Sequence, residues 1–182
     1  MSDIVFETAR LQARRLHLTD VDAMLGVYGD HEVVRWAGDG KPLNRALCEK
    51  WIEVTLNNYA TRGYGMLALV GGESGAVIGF AGLVHPGGQA EAEIKYALHR
   101  SRWGQGFATE AASALLAYGA AYFGLAEVIA TAAPENEASH RVLLKAGMQR
   151  VALREDEDGT LTQWFVWRPS PARPALADQL KS

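Results

Sequence analysis

The sequence lacks several features that would place it in common functional classes. Cys48 is the one cysteine among 182 residues, so an internal disulfide is excluded, and no reactive-thiol motif surrounds it. The five histidines have no metal-ligand spacing. The chain has no apolar run of about 18 residues and no basic N-terminal stretch followed by an apolar one. We therefore expect a cytoplasmic protein without a metal site, a membrane span or an export signal.

The chain also lacks a large excess of positive or negative charge. The formal net charge is −3 at pH 7, so no broad basic field exists to attract nucleic acid. Apolar residues make up 48% of the chain, which is enough for one full core at this length. We expect a single domain over residues 1–168. The tail over residues 169–182 contains Pro169, Pro171 and Pro174, which lack N–H donors and cannot continue regular strand pairing.

Two glycines, Gly104 and Gly106, lie in a short loop directly before a long helical pattern. Apolar residues recur at helical spacing from Thr109 to Tyr122, and residues 93–98 before the loop alternate as a strand does. The N–H groups that begin a helix have no partner within it, and the helix dipole makes that end electropositive. Because glycine lets a ligand approach the backbone closely, this arrangement predicts a phosphate-binding loop.

Two common nucleotide-binding motifs fit this loop poorly. A P-loop requires a lysine that enters the helix, and none is present. A dinucleotide-binding fingerprint requires a small residue where Thr109 stands and an acidic residue about 20 positions further on, at the end of the next strand. Glu127 has roughly that separation, but it begins the apolar run over residues 128–132 and would lie at the wrong end of the sheet.

A further motif follows that apolar run. Residues 134–139 read Pro-Glu-Asn-Glu-Ala-Ser, and the short helical pattern after them ends at Gly147. Together with the glycine loop, this segment resembles the acetyl-CoA site of the GNAT superfamily of N-acyltransferases. The family pattern Arg/Gln-x-x-Gly-x-Gly/Ala corresponds to Trp103 to Ala108, and Asn-x-x-Ala/Ser corresponds to Asn136 to Ser139. Trp103 replaces the usual Arg or Gln, as it often does in one branch of the family.

The resemblance covers most of the chain. The opening from Thr8 to Arg14 is similar to that of the branch containing ribosomal-protein N-terminal acetyltransferases. Ile78 to Leu83 and Ala92 to Tyr96 are similar to the third and fourth strands of that branch. The resemblance implies an α/β fold with a mixed, mainly antiparallel central sheet flanked by helices and a V-shaped splay between the fourth and fifth strands. It also implies acetyl-CoA as cosubstrate.

The resemblance also assigns residues to acetyl-CoA. The cofactor-binding residues that it implies are Leu98 through its backbone, Gln105, Gly106, Phe107, Ala108 and Thr109 at the pyrophosphate, and Asn136 at the pantetheine arm. Asn136 is also a suitable helix cap, so a purely structural role is the alternative for that residue.

The catalytic residues are less well defined by the sequence. Leu143 stands where many members of the family have the tyrosine that protonates the departing thiolate. Ser139 is the candidate for that role, with a bond to the local helix backbone as the alternative. Glu93 on the fourth predicted strand is the candidate base, accepting the amine proton through water if it faces the cleft. A paired structural carboxylate is the alternative, because the strand period does not show which face Glu93 occupies.

Two functions remain open from the sequence. The first is an acetyl-CoA-dependent N-acetyltransferase that acts on a protein N-terminus or a small-molecule amine by direct attack in a ternary complex. The second is a non-catalytic acyl-CoA-binding module, which Leu143 and the unassigned base favour. The acceptor is not identified, and a homodimer is left open. No direct nucleic-acid partner and no membrane partner are expected.

Local patterns predict the remaining elements. Leu11 to Leu18 alternates weakly as a first strand, and residues 31–42 are typical of a loop. Asn44 is placed to cap a second helix. The face predicted for that helix consists of Leu47, Trp51, Val54 and Asn58. A closing hairpin is predicted over residues 151–167, with its turn at Asp158-Gly159.

Overall fold

One sheet runs through the described part of the molecule. The computed structural model describes residues 3–170. The strands are β1 (Ile4–Glu7), β2 (Leu11–Arg15), β3 (Met66–Gly71), β4 (Val77–Val84), β5 (Ala92–Leu98), β6 (Val128–Ala132), β7 (Gln149–Glu155) and β8 (Leu161–Trp167). They are ordered β1-β2-β3-β4-β5-β6-β8-β7, and each neighbouring pair is antiparallel except the parallel pair β5 and β6. The predicted fold class is confirmed.

Helices cover both faces of the sheet. They are α1 (Val21–Tyr28), α2 (His31–Val34), α3 (Arg45–Arg62), α4 (Phe107–Phe123) and α5 (Glu137–Lys145). On the α1/α3 face, Phe80 of β4 shares a core cluster with Met24 and Ile52. On the α4/α5 face, Ile94 of β5 shares a cluster with Leu115. Within residues 3–170, none of these helices is both long and apolar enough to cross a bilayer.

Strand alternation divides the side chains of β5 between the two faces. Ile94 and Leu98 belong to the core under α4, whereas Ala97 packs against the core under α1 and α3. Because successive side chains of a strand point to opposite faces, Glu93 and Lys95 lie on the α1/α3 face with Ala97. The packing of β5 thus shows which face of the sheet Glu93 occupies, which the strand period left open.

The parallel strands β5 and β6 separate along their length. Their pairing is limited to Ala92 with Val128 and Glu93 with Ile129, near the beginning of both strands. Beyond these pairs both strands continue without pairing to each other, which leaves a gap that we call the wedge. The predicted V-shaped splay is therefore present. The predicted fourth and fifth strands are β5 and β6 here, because β1 precedes the predicted first strand. Since β5 leads to α4 and β6 leads to α5, both helices begin at the open end of the wedge.

Two short elements differ from the sequence expectations. β1 lies before the predicted first strand and pairs with β2 through a bulge between Ile4 and Phe6. α2 lies within residues 31–42, so the expectation of a loop throughout that segment was wrong. Asp30 caps α2 by accepting a hydrogen bond from the Glu32 N–H at 2.9 Å. A helix of 4 residues is too short to show a helical period in the sequence.

The buried face of α3 also differs from the predicted face. Asn44 caps the helix as predicted, by accepting a hydrogen bond from the Leu47 N–H at 2.9 Å. The buried side chains are Cys48, Ile52 and Thr55. The large apolar side chains of the predicted face, Leu47, Trp51 and Val54, are exposed. The two faces are one residue apart, about 100° round the helix, and both carry apolar side chains. Packing against α1 therefore decides which face is buried.

The closing hairpin forms around the predicted turn. Gly159 has a φ of +83° and donates a hydrogen bond to the Asp156 carbonyl at 2.9 Å. β8 lies between β6 and β7, so β7 is an edge strand. Pro169 and Ser170 follow β8 without regular structure. The rest of the predicted tail, residues 171–182, lies outside the described residues.

Candidate active site

The glycine loop lies at the open end of the wedge. Gly104 and Gly106 have φ values of +71° and +82°, in the left-handed region that favours glycine. α4 begins directly after Gly106 and has no side-chain cap, whereas Asn44 and Asn136 cap α3 and α5. In the part of the chain that the structure describes, the first amides of α4 therefore lack the acceptor that the other two helices have. Such amides are suited to hold a phosphate.

The side chains of the loop bond to the loop itself and to β5. The Trp103 indole nitrogen donates to the Leu98 carbonyl at 3.0 Å, so this tryptophan ties the loop to the end of β5. The Gln105 side-chain amide donates to the Ser101 carbonyl at 2.9 Å. A ligand at this loop would consequently meet the backbone of Gln105 and not its side chain. The Leu98 carbonyl is engaged by the indole, and the Leu98 side chain is buried in the core.

Asn136 lies at the beginning of α5, on the other side of the wedge. Its Oδ1 accepts a hydrogen bond from the Ser139 N–H at 3.2 Å, so the helix-cap alternative is present. Its Nδ2 has no hydrogen-bond partner among residues 3–170, which leaves both of its N–H donors for a ligand. Contact with the pantetheine arm stays a prediction.

A pair of hydroxyl groups connects α5 to β5. Ser139 Oγ lies 2.7 Å from Tyr96 Oη, and Tyr96 packs on the α4/α5 face. Burial raises the pKa of Tyr96 to about 12, although the hydrogen bond with Ser139 acts in the opposite direction. Tyr96 is therefore protonated at neutral pH and can donate to Ser139 Oγ. Leu143 is buried in the core and has no proton to donate, and the role of Ser139 as proton donor stays a prediction.

Glu93 lies on the α1/α3 face within a group of polar side chains. It is only 3% exposed. Its Oε1 accepts hydrogen bonds from Lys95 Nζ and from Thr131 Oγ1, each at 2.5 Å. Among residues 3–170, its Oε2 has one longer hydrogen bond, 3.4 Å from the Gln89 amide nitrogen. The paired carboxylate that the sequence left as an alternative is thus present, and Oε2 is its less strongly bonded oxygen.

Trp164 extends this polar group to β8. It pairs with Thr131 across β6 and β8, so the two side chains share a face of the sheet. The Arg154 guanidinium stacks on the Trp164 ring, 3.9 Å from its centroid. The Trp164 indole nitrogen is buried and has no hydrogen-bond partner within residues 3–170. Since buried indole donors normally have a partner, this N–H is open to an oxygen atom of a ligand or of water.

Comparison with known proteins identifies the family. Residues 10–149 match the model of the family described as acetyltransferase (GNAT) domain. The chain belongs to the GNAT acetyltransferase family. It is also 30% identical over 172 residues to the uncharacterized N-acetyltransferase YoaA of Bacillus subtilis, which covers 92% of this chain and 91% of that protein. This GNAT chain is therefore an acetyl-CoA-dependent N-acetyltransferase, and the alternative of a non-catalytic module is not supported.

Solved GNAT structures share the fold. An acetyltransferase of Bacillus anthracis superposes with a TM-score of 0.76 at 22% identity, over 89% of this chain and 96% of that one. RimL, a ribosomal L7/L12 α-N-protein acetyltransferase in complex with coenzyme A, superposes with a TM-score of 0.73 at 16% identity, over 91% of this chain and 97% of that one.

The GNAT fold brings only some of the predicted site residues together. Asn136 and Ser139 lie at the wedge on the side of the glycine loop, whereas Glu93 lies on the opposite face of the sheet. Sequence reasoning missed Tyr96, although strand alternation already places it on the face opposite to Glu93. It also missed Thr131, which reaches Glu93 only because β6 is the neighbour of β5 in the sheet.

Proposed function

We propose that this acetyltransferase binds the pyrophosphate of acetyl-CoA on the backbone amides of residues 105–109 and passes the acetyl group directly to a primary amine in a ternary complex. The uncapped start of α4 at the open end of the wedge carries the proposal. Its amides attract an anion, and the left-handed glycines admit a phosphate close to the backbone. The coenzyme A complex of RimL supports the same donor.

On the side of the sheet where acetyl-CoA binds, the pantetheine arm lies in the wedge, where β5 and β6 do not pair with each other. Unpaired strand edges need hydrogen-bond partners, and an amide-containing arm supplies them. Asn136 Nδ2 contributes a further donor from α5. As the C–S bond breaks, Ser139 gives its proton to the thiolate, and Tyr96 donates a hydrogen bond to the Ser139 oxygen, 2.7 Å away. Ser139 then regains a proton from water, and Glu93 releases to water the proton that it took from the amine.

On the acceptor side, the amine approaches from the α1/α3 face. Glu93 takes a proton from it through water at Oε2, and the nitrogen attacks the thioester carbonyl, so that the C–N bond forms as the C–S bond breaks. Glu93 and Tyr96 are three positions apart on β5, roughly 10 Å along the strand, and point to opposite faces. The base and the acid thus act from opposite sides of the reacting carbonyl.

Protein N-termini are the first acceptors to test. The Trp164 indole N–H and the half-exposed Lys95 ammonium both lie on the face of Glu93, and both can donate to an oxygen atom near the amine. The first peptide carbonyl of a protein chain lies next to its α-amine, whereas a simple polyamine has no such oxygen. RimL acts on the α-amine of a protein, which agrees with this preference.

The release of free coenzyme A thiol from acetyl-CoA tests the proposal. We expect release that depends on peptides with a free α-amine, and no release with the same peptides acetylated at the N-terminus. Amino acids, lysine side chains in blocked peptides, and polyamines complete the panel. Calorimetry with acetyl-CoA alone measures donor binding separately. Absence of donor binding would contradict the proposed site, and release that is equal with and without amines would contradict acetyl transfer to an amine.

Replacing Glu93 with glutamine is expected to lower kcat by about 10²-fold or more, because general base catalysis typically supplies about 10²–10⁴-fold in rate. The affinity for acetyl-CoA should not change, because Glu93 lies on the acceptor side. Lys95→Met is the matched variant, since it removes the same ion pair but leaves the carboxylate. If both variants lowered the melting temperature to the same extent and retained full turnover, Glu93 would be a structural carboxylate only.

Replacing Asn136 with alanine is expected to destabilise the protein by about 0.5–2 kcal/mol through loss of the α5 cap. It should also weaken acetyl-CoA binding about two- to tenfold, which corresponds to one lost hydrogen bond. Asn44→Ala is the matched control, because Asn44 caps α3 in the same way and lies on the α1/α3 face. Calorimetry and thermal unfolding measure the two effects. Equal losses of stability with unchanged affinity in both variants would leave Asn136 as a cap alone.

A further inference from the structure

Two segments that are 100 residues apart in the sequence are joined at the glycine loop. Arg10, in the turn between β1 and β2, donates from Nε to Glu110 Oε2 at 2.7 Å, and its Nη2 lies 2.7 Å from the same oxygen. Glu110 lies in the first turn of α4. Its other oxygen, Oε1, accepts hydrogen bonds from Thr8 Oγ1 at 2.6 Å and from the Arg10 N–H at 2.9 Å. Four donors on one carboxylate thus fasten the β1–β2 turn to the start of α4.

Arg10 also holds the backbone of the loop. Its Nη1 donates to the Gln105 carbonyl oxygen at 2.8 Å. In a trans peptide the C=O and the following N–H point in opposite directions. By fixing the Gln105 carbonyl on the side of Arg10, the bond turns the Gly106 N–H to the opposite side. The guanidinium also stacks over the Phe107 ring, 4.3 Å from its centroid. Arg10 therefore contacts both chain neighbours of Gly106, Gln105 and Phe107.

The same contacts balance the charge at the start of α4. A carboxylate in the first turn of a helix repels a phosphate that binds at that end. Burial works to raise the pKa of Glu110, but hydrogen bonds from Thr8 and Arg10 outweigh it and hold the pKa below its ordinary value. Glu110 is therefore ionised at neutral pH, and the Arg10 guanidinium supplies the opposite charge beside it. Glu110 is 18% exposed and Arg10 46%, so the arginine is the more solvated partner.

We propose that Arg10 is a positioning residue for acetyl-CoA, which orients the Gln105–Gly106 peptide toward the pyrophosphate and neutralises Glu110 beside it. We call this group of Thr8, Arg10, Glu110 and the Gln105 carbonyl the loop latch. The inference rests on the proposed function, because it assumes that the pyrophosphate lies on the amides of residues 105–109. It assigns a role to the Thr-x-Arg opening that the sequence motif alone leaves unexplained.

Two substitutions separate the shape of the guanidinium from its charge. Arg10→Gln removes the charge and most of the donors, and Arg10→Lys keeps the charge but cannot reach Glu110 and the Gln105 carbonyl together. We expect both to raise the Kd and the KM for acetyl-CoA by about tenfold, with kcat at saturating acetyl-CoA within about twofold of the parent. In the ligand-free protein, hydrogen exchange at the Gly106 and Phe107 amides should become faster.

Arg14→Gln is the matched control. Arg14 lies on β2 and makes an equivalent two-pronged pair with Asp20, at 2.8 and 2.7 Å, away from the glycine loop. It is more buried than Arg10, so its loss should reduce the melting temperature at least as much while leaving the acetyl-CoA Kd unchanged. A Kd within twofold of the parent in both Arg10 variants, with unchanged exchange at Gly106, would overturn the inference. If the parent protein itself failed to bind acetyl-CoA, the proposed function would be contradicted. Hydrogen exchange at the Gly106 and Phe107 amides would then still show whether Arg10 orders the glycine loop.

Discussion

Ser139→Ala is expected to lower kcat by about 10²-fold or more, because general acid catalysis typically supplies about 10²–10⁴-fold in rate. Leu143 is buried and cannot donate a proton, so it cannot replace the Ser139 hydroxyl. Tyr96 lies behind Ser139, 2.7 Å from its Oγ, and Tyr96→Phe should give a smaller loss. Steady-state release of coenzyme A thiol, with acetyl-CoA affinity measured separately by calorimetry, checks both variants.

Ser113→Ala is the matched control for Ser139→Ala. Ser113 is an exposed serine of α4 whose hydroxyl donates to the Thr109 carbonyl at 2.8 Å, so its loss tests the general effect of removing a helical serine. Full turnover is expected in this variant. Turnover of Ser139→Ala within a factor of two of the parent would remove the acid role from Ser139. Catalysis would then rest on proximity and on backbone polarisation of the carbonyl.

Gly106→Val is expected to raise the acetyl-CoA Kd by about ten- to a hundredfold. The branched carbons of valine would stand where the phosphate approaches the backbone, and a loop that relaxes from the left-handed φ of +82° would move its amides out of alignment. The expected change corresponds to about 1.4–2.8 kcal/mol of binding free energy. A Cβ at this position would lie 3.3 Å from Arg10 Nη2, so the substitution also crowds the Arg10 guanidinium of the loop latch. Calorimetry with acetyl-CoA, on protein shown to be folded by circular dichroism, measures the effect.

Gly124→Val separates backbone strain from ligand binding. Gly124 follows the C-terminal end of α4 and has a φ of +62°. A Cβ added to Gly124 would meet no atom of residues 3–170 within 4 Å, so a valine there is strained but not crowded. We expect a lower melting temperature with unchanged acetyl-CoA affinity. If Gly106→Val and Gly124→Val destabilised the protein equally and neither changed the Kd, the pyrophosphate would not lie at the glycine loop.

Features set by neighbouring residues could be predicted from the sequence. Gly104 and Gly106 are left-handed because glycine alone has no Cβ penalty there, and a loop followed by a helical period already indicates an anion-binding helix start. Asn44 and Asn136 cap their helices through an N–H three residues further on, which is also a local contact. The GNAT motifs consist of such short-range signals, and they were sufficient to identify the family correctly.

Features that depend on which elements meet required the tertiary structure. The face of Glu93 follows from the cores that pack on the two sides of β5, and the buried face of α3 follows from its contact with α1. The bond from Thr131 to Glu93 exists because β6 lies beside β5.

The sequence by itself determined the glycine loop, the caps at Asn44 and Asn136 and the motifs of the family, because each of these depends on dihedral preferences and hydrogen bonds within a few residues. The tertiary structure alone decided that Arg10 meets Glu110, that Tyr96 meets Ser139, and that the candidate acid and base lie on opposite faces of one sheet. These pairs are far apart in the sequence, so no local period encodes them. They form only when the sheet order and the packing of its two faces bring the side chains within hydrogen-bond distance.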